Sequence, residues 1–206
     1  MRLSGGDRSG AADGVGARGE RTRARLLQVA VRRFAADGFR RTSLSAVAEE
    51  AGVSPAAVYA YFPSKEGLFE AAVDADAAAL IDEAGSDLEA GAALMVPLPL
   101  LMAGVERHPL ARRVLSGQEP EVIHRLLELP ALLDLRRRIA EAITGGQEAR
   151  FVRDDVDPKA LAAGLETVVL ALLMAWLQVP SYGEDRAAGV EAVFDAALRR
   201  PRPAAG

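Results

Sequence analysis

The sequence contains no cysteine and only two histidines among its 206 residues. Disulfide bonds, thiolate chemistry and zinc fingers with cysteine ligands are therefore excluded. Neither His108 nor His124 lies in an HExxH-type pattern, so we expect no metal site and no cofactor. No Ser-His-Asp set or pair of carboxylates stands out either, so we expect a protein that is not an enzyme.

Long hydrophobic runs and alternating strand patterns are also absent. The longest apolar run, Val168 to Leu177, is far shorter than the roughly 20 residues that a membrane span needs. The N-terminal arginines are not followed by the apolar segment of a secretory signal. We therefore expect a soluble, cytoplasmic protein without a membrane partner. Because the apolar residues recur with helical and not with strand period, the predicted fold class is all-α.

Charge is divided unevenly along the chain, although the net charge is only −4. Residues 1–65 contain 11 Lys and Arg against 6 Asp and Glu, whereas the remaining residues contain 14 against 23. A basic N-terminal part joined to an acidic remainder suggests a nucleic-acid contact at one end of the chain. The alternative is that the charged residues are distributed at random over an arginine-rich surface.

The helical patterns divide the chain into a small and a larger domain between two tails. Residues 1–19 are glycine-rich without apolar periodicity and are expected to be disordered; residues 200–206 form a second tail. Asp37-Gly38 is predicted to stop the first helix, Pro130 to bend or split a long one, and Gly145-Gly146 to begin a linker. Predicted helices are 20–36, 44–51, 56–62, 65–83, one through 115 with an uncertain start near Pro97 and Pro99, 119–143, 158–179 and 184–199. The predicted domains are 20–64 and 84–199, linked by the helix at about 65–83.

Residues 44–62 have the pattern of two short helices joined by a tight turn. Gly52 lies where the first helix must end, and glycine adopts the required left-handed conformation without steric cost. Ser54 can cap the second helix, and Pro55 falls at its first position, where its missing N–H does no harm. The pattern predicts a helix-turn-helix, whose second helix enters the DNA major groove. A generic helical hairpin has the same pattern.

The residues around this hairpin carry a resemblance to a known family. Thr42-Ser43 before it and Tyr59-Ala-Tyr61-Phe62-Pro-Ser64-Lys65-Glu66-Gly-Leu68 at its end resemble the signature of the TetR family of bacterial regulators. The resemblance is close from about Arg21 to Val73. It implies an N-terminal three-helix DNA-binding domain followed by a C-terminal helical bundle for dimerisation and ligand binding.

The resemblance also implies which side chains contact DNA. Those at positions where the family contacts phosphates are Thr42, Tyr61 and Lys65, with Ser43 beside them. Those at positions that meet bases or the adjoining backbone are Ser54, Ala56, Ala57 and Tyr59. Lys65 in a first helical turn opposes the helix dipole by about 0.3–1 kcal/mol, which independently suggests a function. The alternatives are that Lys65 is only a solvated surface lysine and that Tyr59 and Tyr61 only pack against neighbouring side chains.

The C-terminal part is predicted to dimerise and to hold a ligand. The helix near residue 170 is apolar nearly all round, so one side can face its own core and another a partner helix; a central helix of a monomeric bundle is the alternative. An effector pocket, as the family implies, would lie in the bundle. The candidate lining residues are Met102, Val105, Phe151, Glu166 and Trp176. For all of them except Glu166, a place in the plain core is the simpler explanation. Solvent exposure is the simpler explanation of Glu166, and His108 is expected to be structural.

These observations predict a homodimeric transcriptional regulator. We expect a repressor that binds an inverted-repeat operator in double-stranded DNA and is released by a small apolar or aromatic effector. A helical protein-interaction module and an enzyme with an appended helix-turn-helix are the alternatives.

Overall fold

The computed structural model describes residues 9–86, 98–179 and 184–199. Every regular element in these ranges is helical, which confirms the all-α prediction. The elements are α1 Ser9–Arg41, α2 Leu44–Ala51, α3 Pro55–Tyr61, α4 Lys65–Ser86, α5 Leu98–Arg107, α6 Pro109–Leu115, α7 Pro120–Ile123, a 3-10 turn Leu126–Glu128, α8 Pro130–Glu148, α9 Pro158–Gln178 and α10 Glu184–Leu198. Residues 1–8, Pro97 and the 200–206 tail lie outside the described ranges.

The chain divides into two compact units between Ala72 and Val73, inside α4. The first unit is built on α1, whose buried residues Leu26, Ala30 and Phe34 recur at helical spacing. The ring centroids of Phe34 and Phe69 lie 4.9 Å apart in an edge-on arrangement. Edge-on aromatic contacts of this kind contribute stabilisation beyond that of the apolar area that the rings bury. Unit 1 is therefore held around one aromatic cluster.

Helix α1 differs from its predicted bounds at both ends. It begins at Ser9, although residues 9–19 were expected to be disordered. No proline interrupts this segment, and extending an existing helix is far less costly than nucleating one. At the other end, Gly38 has φ 79° and ψ 169°, a non-helical conformation that kinks the helix where Asp37-Gly38 was predicted to stop it.

Unit 2 has a core between α8, α9 and α10. Its fully or nearly fully buried members are Ile143, Val152, Ala162, Leu165, Phe194 and Leu198. Pro130 begins α8 and separates it from the short helices before it, as predicted. The predicted linker at Gly145-Gly146 is wrong, because α8 continues through both glycines to Glu148. A Cβ on Gly146 would lie 2.5 Å from Val152 Cγ2, so glycine here allows the chain to return close to the helix.

Helix α9 is long and apolar enough to cross a membrane by length and composition, with a mean hydropathy of 2.0 over its most apolar window. This is weak evidence, since the core helix of a soluble protein passes the same test. In unit 2, α9 buries Leu165, Leu172 and Leu173. Those contacts are what a core helix would make.

Candidate nucleic-acid interface and cavity

The turn between α2 and α3 has the geometry that the sequence predicts. Gly52 has φ 67° and ψ 36°, in the left-handed region, and its N–H donates to the carbonyls of Ala48 and Glu49. Val53 N–H donates to Ala48 O at 3.0 Å. These bonds satisfy carbonyls that the end of α2 leaves without helical partners. The turn fixes the direction in which α3 begins.

Side-chain caps start both helices of this hairpin. Ser43 Oγ accepts a hydrogen bond from Ala46 N at 3.1 Å at the start of α2. Ser54 Oγ accepts one from Ala57 N at 3.2 Å at the start of α3. Each bond satisfies an N–H group at a helix N-terminus, a contribution of typically about 1 kcal/mol. Both predicted caps are present.

Helix α3 has one buried and one exposed face. Val58 is fully buried and Phe62, directly after the helix, is almost so. Ala56 is exposed, Ala57 is partly so, and Tyr59 presents 56% of its surface to solvent. The large aromatic side chain of Tyr59 is thus available to a partner, on the face where the family's base and backbone contacts were expected.

The candidate phosphate contacts are less uniform. Thr42 is buried, and its hydroxyl donates to Gly38 O at 2.9 Å, so in this structure it holds the end of α1. Lys65 Nζ donates to Arg40 O at 3.3 Å and lies 4.5 Å from the centre of the Phe39 ring. Tyr61 is half-buried. The role of these side chains in DNA binding therefore stays a prediction.

Ion pairs brace α2 against α1. Glu50 Oε2 accepts from Arg33 Nε at 2.5 Å, and Glu50 Oε1 accepts from Arg32 Nη2 at 3.0 Å. Hydrogen bonds from Arg33 and then Arg32 lower the pKa of the Glu50 carboxyl below its usual value. Sequence inspection missed this contact, because the partners are 17 and 18 residues apart.

Unit 2 contains a cavity of about 270 Å³ with mostly apolar walls. Helix α4 contributes Val73, Ala77, Leu80, Ile81 and Ala84, and α8 contributes Leu132, Leu135, Ile139 and Ala142. Both sets recur with the helical period, so the sequence identifies them as apolar helix faces but not as the walls of a cavity. The size and walls suit a small apolar ligand.

Only one of the five predicted lining residues, Glu166, borders this cavity. Val105 is fully buried in the core, and Phe151 is 59% exposed at the surface. Met102 and Trp176 are half-buried and are not part of the cavity wall. These four residues therefore lie outside this cavity, because residue type does not show which face of a helix borders a cavity, and their contact with a ligand stays a prediction.

Glu166 is buried, and the expectation of solvent exposure is wrong. Its residue surface is only 3% exposed. Oε2 accepts a hydrogen bond from Arg136 Nε at 2.5 Å, and Arg136 Nη2 donates to Leu127 O at 3.1 Å. A buried carboxylate needs such a partner. Oε1 of the same carboxylate has no hydrogen-bond partner.

His108 joins two helices, in line with the structural role expected of it. Its Nδ1 lies 3.2 Å from Asp76 Oδ1 and its Nε2 lies 3.0 Å from Glu83 Oε2. Asp76 Oδ2 also accepts from the backbone N–H groups of Leu110 and Ala111 at the start of α6. The Arg107 side chain, followed by His108, lowers the pKa of Glu83. This cluster attaches α6 to α4.

An apolar groove lies between α9 and α10. Val168 is 40% exposed and Val193 is 61% exposed along it. Its walls are Val156, Ala160, Leu161, Gly164, Leu165, Val168, Val193, Phe194 and Ala197. Since the other side of α9 packs in the core, this helix has apolar residues on two sides, as predicted.

Residues 26–72, which include the hairpin and both its caps, match the family described as bacterial regulatory proteins, tetR family. This segment is therefore similar to the TetR family of bacterial regulatory proteins. The proteins that this segment matches are regulatory proteins and not enzymes, in line with the expectation for this chain. The match covers unit 1 alone.

A segment of the chain is also similar to a named relative. The nucleoid occlusion factor SlmA of Vibrio vulnificus strain YJ016 is 36% identical over 89 residues, which is 40% of this chain. The aligned segment spans 44% of the length of that relative, and the same values hold for SlmA of strain CMCP6.

Two solved structures resemble nearly the whole fold. A protein from Rhodococcus sp. assigned to the TetR-family transcriptional regulators has a TM-score of 0.64 and 24% identity, over 86% of this chain and 98% of that one. The fatty acid degradation regulator FadR of Bacillus halodurans has a TM-score of 0.60 and 16% identity, over 85% and 99%. At these identities the likeness concerns the fold, which is that of TetR-family regulators.

Proposed function

We propose that this protein is a homodimeric transcriptional repressor that binds an inverted-repeat operator and is released by a small molecule. The observation that carries the proposal is the exposed face of α3. A helix capped by Ser54, anchored by the buried Val58 and presenting Tyr59 to solvent has what insertion into a major groove requires. We place the protein in the cytoplasm, where its DNA would be.

DNA contact would be divided between reading and anchoring groups. Tyr59, with Ala56, Ala57 and Ser54 along the same helix, would meet base edges or the adjoining backbone. Lys65, Tyr61, Thr42 and Ser43 would lie near phosphates. Of these, the Lys65 ammonium would raise the affinity for DNA through its charge, and by the same amount for every DNA sequence.

A second copy of this chain is the occupant we propose for the α9–α10 groove. The groove exposes Val168 and Val193, and a two-fold axis would bring the same apolar walls together from both protomers. Two recognition helices related by that axis would address half-sites about 34–36 Å apart, or a multiple of this distance.

The cavity would couple ligand binding to DNA release through α4. This helix has 22 residues, a length of about 33 Å at 1.5 Å per residue. Its first residues belong to unit 1, and Val73, Ala77 and Leu80 farther along border the cavity. A ligand that binds one position of α4 better than another shifts the population of DNA-binding conformations. A coupling of about 1–3 kcal/mol would change operator affinity by about 5- to 150-fold.

The test is selection of genomic fragments by the purified full-length protein, followed by footprinting on the retained DNA. We expect protection of two half-sites in inverted orientation. Tyr59→Ala should change which fragments are retained, whereas Tyr59→Phe, which keeps the ring, should retain more of the wild-type set. Retention of no fragment, with no salt-dependent binding to any duplex, would favour a protein-interaction module instead.

A further inference from the structure

One residue that borders the cavity in unit 2 carries an unusual atom. Glu166 borders the cavity together with its α9 neighbours Leu165 and Val169. Its Oε2 is occupied by Arg136, but its Oε1 is buried without a hydrogen-bond partner. Among the described residues it is the one buried side-chain oxygen or nitrogen in this condition.

A buried acceptor without a donor is unfavourable, because it has lost water and gained nothing in return. The disadvantage is greater for a carboxylate than for a neutral group. Because this oxygen belongs to a residue that borders the cavity, a ligand whose donor reaches it would gain from donating a hydrogen bond. An ionised carboxylate accepts and does not donate.

The other charged side chain in the wall does not favour an anion. Arg138 borders the cavity, and its Nε lies 3.1 Å from Asp134 Oδ2, with Nη2 3.7 Å from Asp82 Oδ1. The Arg136 guanidinium is paired with Glu166 itself. Each of these cations already has an acidic partner, while Oε1 would repel a ligand carboxylate.

We propose that the cavity binds a neutral, largely apolar molecule whose single O–H or N–H group donates to Glu166 Oε1. The proposal rests on the cavity being the effector site of the proposed function. A neutral donor fits better than an ammonium, because Arg136 already balances the charge of Glu166 and an ammonium would add an unbalanced charge to apolar walls. Apolar alcohols and phenols belong to this class, and fatty-acid carboxylates do not.

The test uses matched probes and the full-length protein. Primary alcohols from 1-hexanol to 1-dodecanol are titrated by calorimetry, each beside the methyl ether and the carboxylate with equal chain length. The best-fitting alcohol should bind about 10- to 100-fold more tightly than its ether, the range for a hydrogen bond to a charged group. The ether leaves Oε1 without a donor, and the carboxylate should bind more weakly still.

Glu166→Gln provides the variant with the least change of shape. Its amide oxygen can still accept from Arg136, while its NH₂ group takes the place of Oε1 and donates. The advantage of the alcohol over the ether should then fall towards one. The matched control is Glu141→Gln, which alters an exposed carboxylate that pairs with Arg137 on α8 and should leave the ratio unchanged.

Three calorimetric results would overturn the proposal: ethers that bind as tightly as alcohols, carboxylates that bind most tightly, or no binding of any alcohol in the series. The wild-type ratio decides the matter even if Glu166→Gln fails to fold. The calorimetry contains no DNA, so it can succeed if DNA binding fails. Conversely, operator release by a molecule without a donor would overturn this inference and leave the repressor proposal standing.

Discussion

Replacing Gly52 by alanine isolates the contribution of a single backbone conformation to the helix-turn-helix. Gly52 has φ 67° and ψ 36°, and a Cβ added there would have no neighbour within 4 Å. The substitution therefore introduces no clash with the rest of the protein. It does place an L-residue in the left-handed region, at a cost of about 1–2 kcal/mol.

The matched control is Gly67→Ala in the first turn of α4. Gly67 has no positive φ, and a Cβ there would meet Ser64 Oγ at 3.5 Å and Pro63 Cδ at 3.8 Å, which are ordinary contacts. Alanine in a helix is favoured over glycine by about 0.5–1 kcal/mol. The same chemical change, 15 residues apart in one unit, should thus have opposite signs.

Amide hydrogen exchange of peptides from residues 44–62 measures the change in local stability of the helix-turn-helix itself. The fluorescence of Trp176 would not, because this residue lies in unit 2. Gly52→Ala should accelerate exchange by about 5- to 30-fold, the factor that corresponds to 1–2 kcal/mol. Gly67→Ala should leave it equal or slower. Exchange at the wild-type rate in Gly52→Ala would refute the left-handed turn and the direction it gives to α3.

Three further substitutions test separate parts of the account. Lys65→Met keeps the apolar stem but removes the charge, and it should reduce the slope of log affinity against log salt by about one on any duplex; an unchanged slope would make the lysine purely structural. Glu50→Gln should destabilise unit 1 at neutral pH. Arg33 lowers the pKa of Glu50 in the folded state. The ionised carboxylate therefore stabilises unit 1 fully when the pH is above the usual pKa of glutamate, and this stabilisation is lost as the pH falls through the lowered pKa. The difference between wild type and variant in urea denaturation should accordingly vanish in acid. Val193→Glu should convert the dimer to a monomer in light scattering, whereas Leu133→Glu, at an exposed leucine outside the groove, should not; a dimer in both would place the interface elsewhere.

Local interactions explain why the hairpin could be predicted from sequence. Each decisive contact in it joins residues within a few positions of one another: Ser43 to Ala46, Ser54 to Ala57, and the left-handed Gly52 to the end of its own helix. Such caps depend on residue type and spacing, which the sequence displays directly. The bounds of α2 were accordingly predicted to the residue.

Interactions between distant residues explain the errors in unit 2. Glu166 was expected at the surface, but Arg136, 30 residues earlier on α8, makes its burial possible. Similarly, α8 ends not at its glycines but near Arg150, which has φ 66° where glycine is the usual residue. The cavity wall depends on how several helices pack, which the apolar periodicity of one helix does not determine.

The affinity of the purified full-length protein for a retained genomic duplex, measured by fluorescence anisotropy over a range of salt concentrations, tests the central claim most directly. The account predicts a linear fall of log affinity with log salt and, at fixed salt, tighter binding than to a scrambled duplex of equal length. Binding that is independent of salt, or equal for both duplexes at every salt concentration, would contradict the assignment of α3 as a DNA-reading helix.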